Sequence, residues 1–176
     1  GTPHAENVGP SVLGGVVLLR GYEPLDMVRL PVPDNFCCSV AHPAIMVSTR
    51  MAREVLPKDI PLRTAVKQWG NVAGLVAGLA LGDVHLVGRA MCDVVVEPYR
   101  KRFIPGFDEL REKVLAAGAL AMNISGAGPS VFTLSSDMAV AERVGEIMRE
   151  HFAEQGVGSD IYVCKVSNRG ARVLND

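Results

Sequence analysis

The sequence predicts an α+β domain of the split βαβ, ferredoxin-like kind, with extra helices inserted into its first crossover. Three observations predict it. From Phe36 onward, strand-like apolar runs and helix-period segments follow in the order β-α-(αα)-α-β-β-α-β, counting residues 61–100 as an inserted helical pair. The glycine-rich stretch SGAGPS at 125–130 joins two strands instead of opening a helix. The 176-residue chain is 48% hydrophobic and 5% aromatic, so it can bury roughly 70% of its unfolded surface and needs no staple to fold.

The opening residues Gly1–Pro10 (GTPHAENVGP) read as a polar loop. Val12–Leu19 and Met27–Val32 are rich in Val and Leu and are separated by Gly21 and Pro24, which predicts a hairpin. PVPDN at 31–35 is the linker candidate, so residues 1–34 read as a terminal loop and hairpin and 35–176 as the main domain. Phe36–Ala41 is a buried strand, and Ser48 and Thr49 supply cap chemistry for a short helix that Pro57 stops. Pro61 suits the first turn of a longer helix. Its apolar positions Leu62, Val66, Trp69, Val72, Val76 and Leu79 recur at three and four residues up to Gly82, so that stripe is expected to face a core. Asp83 caps the next helix, with Val84, Val87 and Met91, which Pro98 is expected to end. Then come a helix at Asp108–Ala117, a strand at Ala119–Ile124, the glycine-rich turn, and a strand at Val131–Leu134. A helix at Met138–Gln155, a strand at Ile161–Val166 and an edge strand at Ala171–Leu174 complete the expectation.

Charge and composition exclude several classes. Eighteen basic side chains against nineteen acidic ones give a net charge of −1, without the basic excess that binding a phosphate backbone requires, so nucleic acid is not an expected partner. The longest apolar stretch, VAGLVAGLALG at 72–82, falls short of the ~20 residues that span hydrocarbon. No membrane association is expected, and the chain is placed in the cytoplasm. Cys37, Cys38, Cys92 and Cys164 form no CxxC pair and read as buried thiols of a reducing compartment.

Several residues can carry chemistry. Gly126 and Gly128 allow positive φ and leave amides open to a phosphate or carboxylate, although a tight hairpin explains the same loop equally well. The loop has no GK[ST] and is not a P-loop. Thr49 and Arg53 share a helical face, where a hydroxyl and a guanidinium can hold a small anion. Arg100 follows Glu97-Pro98-Tyr99, where a helix is expected to stop. Taken singly, each arginine is better explained by a surface ion pair. His4, Glu6 and Asn7 put an imidazole, a carboxylate and a carboxamide in one loop. The histidines at 42, 85 and 151 show no metal-ligand spacing, so no protein-held metal is expected. Glu142, Glu146 and Glu150 read as a solvated helix face.

Four stretches taken together go further: HAENVGPSVLGG at 4–15, HPAIMVSTRMAREVLP at 42–57, EPYRKRFIPGF at 97–107 and NISGAGPSVF at 123–132. Over nearly the whole chain they resemble the homoserine kinase branch of the GHMP kinase superfamily. The resemblance implies phosphorylation of the L-homoserine hydroxyl by ATP with Mg2+. It places His4 and Asn7 against the amino acid and its hydroxyl, Thr49 and Arg53 at its polar end, and Arg100 on its carboxylate. Ser125, Gly126, Ala127, Gly128 and Ser130 would lie beside the substrate and the phosphate loop. Glu6 stands where relatives usually carry Asp, and the helix with Gln68 and Asn71 lacks a histidine that some relatives have. The family's PxSxNxGxGFD-like and PxxxGLGSSxA motifs do not occur. The resemblance therefore implies a C-terminal GHMP kinase domain at 35–176 preceded by the last hairpin of a truncated N-terminal domain, with ATP and Mg2+ bound mainly by what is missing and no activity in the isolated chain. Another small-molecule kinase of the superfamily and a non-catalytic amino-acid-binding module are the alternatives. A homodimer is left open.

Overall fold

A computed structural model describes residues 4–174. The chain begins with α1 (Ala5–Leu13) and the antiparallel hairpin β1 (Val16–Tyr22) and β2 (Leu25–Leu30). The opening segment is thus a helix where a loop was expected, even though Pro10 lies inside it. Packing overrides the local signal. Gly9 is buried so closely on the hairpin that a Cβ there would lie 2.9 Å from Met27 Sδ. Gly14, at φ 73°, ends the helix and donates its N–H to Pro10 O.

The main sheet contains β3 (Cys37–Pro43), β4 (Ala121–Ile124), β5 (Val131–Ser135) and β6 (Ser159–Lys165) in the order β4-β5-β3-β6, with every pairing antiparallel. That is the split βαβ order expected from the sequence. The crossover after β3 carries α2 (Thr49–Glu54), α3 (Leu62–Leu81), α4 (Val84–Ala90), α5 (Glu97–Arg100), a 3-10 turn at Lys101–Phe103, and α6 (Phe107–Ala116). The return from β5 to β6 is α7 (Met138–Glu154). Strand alternation turns Cys37, Ser39, Ala41 and Pro43 inward. Ala41 joins Leu110 and Val114 of α6 and Val144, Met148 and Phe152 of α7 in the larger core. A second cluster, Phe36, Leu79, Val87 and Leu134, takes in Val16 and Leu30 of the hairpin and so fastens it to the domain.

Four expectations need correction. The stripe along α3 faces a core only at its C-terminal end, where Leu79 is buried: Leu62 is 71% and Trp69 62% exposed, and Val66 and Val72 are also exposed. The helix packs through Gly78 and Leu79, because glycine lets α4 approach until a Cβ on Gly78 would meet Val87 at 2.9 Å. Counting large apolar residues misses a contact made by small ones. Pro98 opens α5 instead of closing α4. The Asp93 carboxylate, accepting from the N–H groups of Val95, Val96 and Glu97, nucleates that turn. Residues 171–174 form no strand; Ala171 donates to Ser11 O of α1 instead. Of the cysteines, Cys37 is buried and Cys38 half-buried, while Cys92 and Cys164 are exposed. Cys164 lies on edge strand β6, whose outward positions have little to cover them. Burial, with Cys164 and Cys37 beside it, pushes the Cys38 thiol up to about 12, which keeps it protonated and unreactive. No helix among the described residues is long and apolar enough to cross a membrane.

Candidate functional site

Ser48 starts α2 by accepting the Met51 N–H at 3.1 Å. Thr49 then falls at the first helical position and Arg53 one turn later on the same face. Across from them, α5 is anchored at its first residue, Glu97. Asp93 caps its start, and the buried carboxylate of Glu97 accepts from both guanidinium nitrogens of Arg111, one at 2.7 Å. Arg111 also donates to Met122 O of β4 at 2.9 Å. This anchoring fixes Arg100 at the C-terminal end of α5. Its Nε donates to Ala52 O at 3.1 Å and its Nη1 to Gly126 O at 2.8 Å, so the guanidinium joins α2 to the glycine-rich turn.

The third wall comes from the opening helix. His4 occupies the N-cap position of α1, with Nδ1 3.0 Å from Glu6 Oε1. Tyr22, at the end of β1, donates its hydroxyl to Glu6 Oε2 at 2.7 Å. The Tyr22 bond, with His4 second, holds the Glu6 carboxyl down to about 2, and the carboxylate in turn pushes the Tyr22 phenol up.

His4, Glu6, Asn7, Thr49, Arg53, Arg100, Gly126 and Ala127 line one open cleft of about 540 Å³. A smaller hollow of about 230 Å³ adjoins it, sharing Arg100 and Gly126 and adding Asp93, Glu97 and Asn123. The structure therefore brings His4, Asn7, Thr49, Arg53 and Arg100 together from three separate parts of the sequence. Ser125, Gly128 and Ser130 do not line this cleft. Ser130 Oγ is 2.7 Å from His42 Nδ1, and the amides of Ser125 and Gly128 are bonded inside the turn, to Ser130 O and Ser125 O. What the turn offers the cleft is the carbonyl that grips Arg100. Tyr22 and the Glu97–Arg111 pair escaped sequence reasoning, because only the folding of the hairpin and of α6 brings each to its partner.

Two guanidiniums, an imidazole, a carboxamide and a hydroxyl around a single ionised carboxylate make the cleft complementary to a small molecule with an acidic group and a polar remainder. A planar guanidinium can meet a carboxylate with two parallel hydrogen bonds. Glu6 is left as the opposing acceptor.

Residues 75–154 match the family described as "GHMP kinases C terminal". The chain is 47% identical over 176 residues to a homoserine kinase of Chlorobium phaeobacteroides (strain DSM 266 / SMG 266 / 2430), covering 99% of this chain and 55% of that protein. The crystal structure of homoserine kinase from Cytophaga hutchinsonii ATCC 33406 superposes with a TM-score of 0.94 at 50% identity, over 97% of this chain and 54% of that one. The L. major mevalonate kinase structure shares the fold, with a TM-score of 0.73 at 16% identity over 97% of this chain and 55% of that one. The chain thus spans about half the length of the curated relatives it matches. On sequence and fold together, the chain contains a GHMP kinase C-terminal domain.

Proposed function

We propose that this chain supplies the amino-acid side of an ATP-dependent homoserine kinase, which converts L-homoserine to O-phospho-L-homoserine. The observation that carries the reading is the convergence of His4, Asn7, Arg53 and Arg100 on one cleft. Arg100, already oriented by Ala52 O and Gly126 O, turns its remaining N–H groups to the substrate carboxylate, and Arg53 and Thr49 hold the same end. Glu6 accepts from the ammonium group. With Glu6 ionised, His4 keeps its Nδ1 hydrogen toward Oε1, which leaves Nε2 as the acceptor for the hydroxyl that attacks. Asn7 orients that hydroxyl. Relatives named homoserine kinase, at 45–47% sequence identity, support this substrate over other small alcohols.

ATP supplies the phosphoryl group, and phosphoryl transfer depends on positioning and charge neutralisation. The cleft does not fit ATP with Mg2+: its one carboxylate, Glu6, is engaged by Tyr22 and His4, and the Ser125 and Gly128 amides are bonded within their turn. The reading assigns nucleotide and magnesium to other parts of a longer polypeptide. Two measurements on this chain test it together. Calorimetry with L-homoserine is expected to show saturable 1:1 binding, and a coupled ATP-consumption assay is expected to show no homoserine-dependent turnover. Threonine binding without homoserine binding would overturn the substrate assignment in favour of a regulatory module. Turnover well above background would overturn the division of labour.

A further inference from the structure

The helices α6 and α7 carry a second cluster of side chains that the kinase reading does not use. Carboxylate oxygens of Glu109 and Glu154 and a ring nitrogen of His151 all lie within 4.8 Å of one another. His151 is 1% exposed, yet its Nδ1 has no hydrogen-bond partner among the described residues. Its Nε2 reaches only Pro105 O, at 3.4 Å. A buried imidazole is ordinarily satisfied on both nitrogens, so this ring has a lone pair waiting for an acceptor of electrons. We propose that Glu109, His151 and Glu154 bind a divalent ion of the zinc class and pin α6 to α7.

The donor set decides the kind of ion. One imidazole and two carboxylates suit zinc, with a water in the fourth position. Magnesium and calcium prefer all-oxygen shells. With Nδ1 on the ion, Nε2 would donate to the Pro105 carbonyl, 3.4 Å away, as metal-ligating histidines are usually held in one tautomer. Charge agrees: two carboxylates and a neutral ring complement a double positive charge. The place already attracts a cation, because the Lys113 ammonium sits 2.9 Å from Glu109 and 3.0 Å from Glu154. That ammonium carries one charge and leaves the imidazole unbonded. Lys113 is partly exposed on a flexible stem and can swing out when an ion enters. Around zinc, ligand atoms bound at about 2.0–2.2 Å lie roughly 3–3.5 Å apart. The two exposed glutamates must therefore close by little more than a rotamer change.

The test uses the chelator-washed chain with Cys92→Ser and Cys164→Ser, since exposed thiols would bind the probe themselves. Zinc chloride alone, followed by calorimetry, is expected to bind one ion per chain. Zinc at a hundredfold excess over Kd is expected to raise Tm by about 5–10 °C. Cobalt in its place should give the visible absorption of a four-coordinate site. Because His151→Ala removes a core side chain and can fail to fold, the decisive variants are the exposed Glu109→Gln and Glu154→Gln. Each is expected to weaken zinc by at least about tenfold, and Lys113→Gln is expected to tighten it. Absence of saturable binding below ~1 mM zinc, or affinity unchanged in both glutamate variants, overturns the site. This proposal stands or falls independently of the homoserine reading.

Discussion

Replacing Arg100 is the most direct perturbation of the cleft. The side chain makes two hydrogen bonds to backbone carbonyls, to Ala52 O at 3.1 Å and Gly126 O at 2.8 Å, and under the proposed function a charged pair to the ligand carboxylate. Arg100→Met keeps most of the apolar stem but removes all three. Gly126 is exposed, so water replaces its lost partner, whereas Ala52 is fully buried and its carbonyl is less easily satisfied. A net cost near 1 kcal/mol, equivalent to a drop in Tm of about 2–4 °C, is expected for the fold. Loss of a hydrogen bond to a charged group costs about 1.5–3 kcal/mol, so homoserine binding should weaken about 10- to 150-fold. Arg100→Lys separates charge from geometry. A lysine preserves the positive charge without the planar fork, and should recover part of the affinity and little of the bracing between α2 and the turn. Calorimetry gives Kd and differential scanning calorimetry gives Tm on the same samples. A Kd within twofold of the parent chain, in a variant that still melts cooperatively, would refute the assignment of Arg100 to the ligand.

Three further outcomes are expected. Tyr22→Phe removes the hydrogen bond that contributes most to keeping Glu6 near 2, so the Glu6 carboxyl should titrate closer to its ordinary value. Because the native pKa is depressed, the stabilisation from this array is present above about 4.5 and is lost as pH falls toward 2. Carbon-detected NMR titration of the carboxyl group reads the shift directly, and an unmoved midpoint contradicts the ordering of causes. Glu97→Ala leaves Arg111 half-buried without its partner, which is expected to cost about 3–5 kcal/mol and so to lower Tm by about 6–20 °C; a loss below 2 °C, read by thermal melting, would show that α5 is held by Asp93 alone. Gly78→Ala would place a methyl 2.9 Å from both the Val87 side chain and its backbone nitrogen, and overpacking of about 1–3 kcal/mol should outweigh the gain in helix propensity of about 1 kcal/mol. A raised denaturation midpoint would show that α4 shifts freely.

The strand and helix order was legible because it is written in local patterns. A short apolar run marks β3, Gly82 at φ 68° stops α3, and Asp83 caps α4 through a side-chain oxygen. The candidate cleft was legible through the four stretches that resemble GHMP kinases, since spacing alone left Arg53 and Arg100 as ordinary surface arginines. What escaped was set by contacts between distant segments. Helix α1 contains a proline and forms because Gly9 seats on the hairpin. Along α3, Leu62, Val66, Trp69 and Val72 are exposed, while Leu75, Gly78 and Leu79 pack. The metal-type cluster was invisible because Glu109 lies on α6 while His151 and Glu154 lie on α7, with no spacing rule to link them.

The sequence by itself determined the order of helices and strands in the main sheet, and therefore the split βαβ arrangement, because hydrophobic period, caps and turns act over a few residues. Tertiary structure alone decided which face of each helix is covered, that Tyr22 reaches Glu6, and that Arg100 braces the glycine-rich turn. Those outcomes depend on how closely two backbones can approach and where their charged groups meet, and both are fixed only when remote parts of the chain pack together.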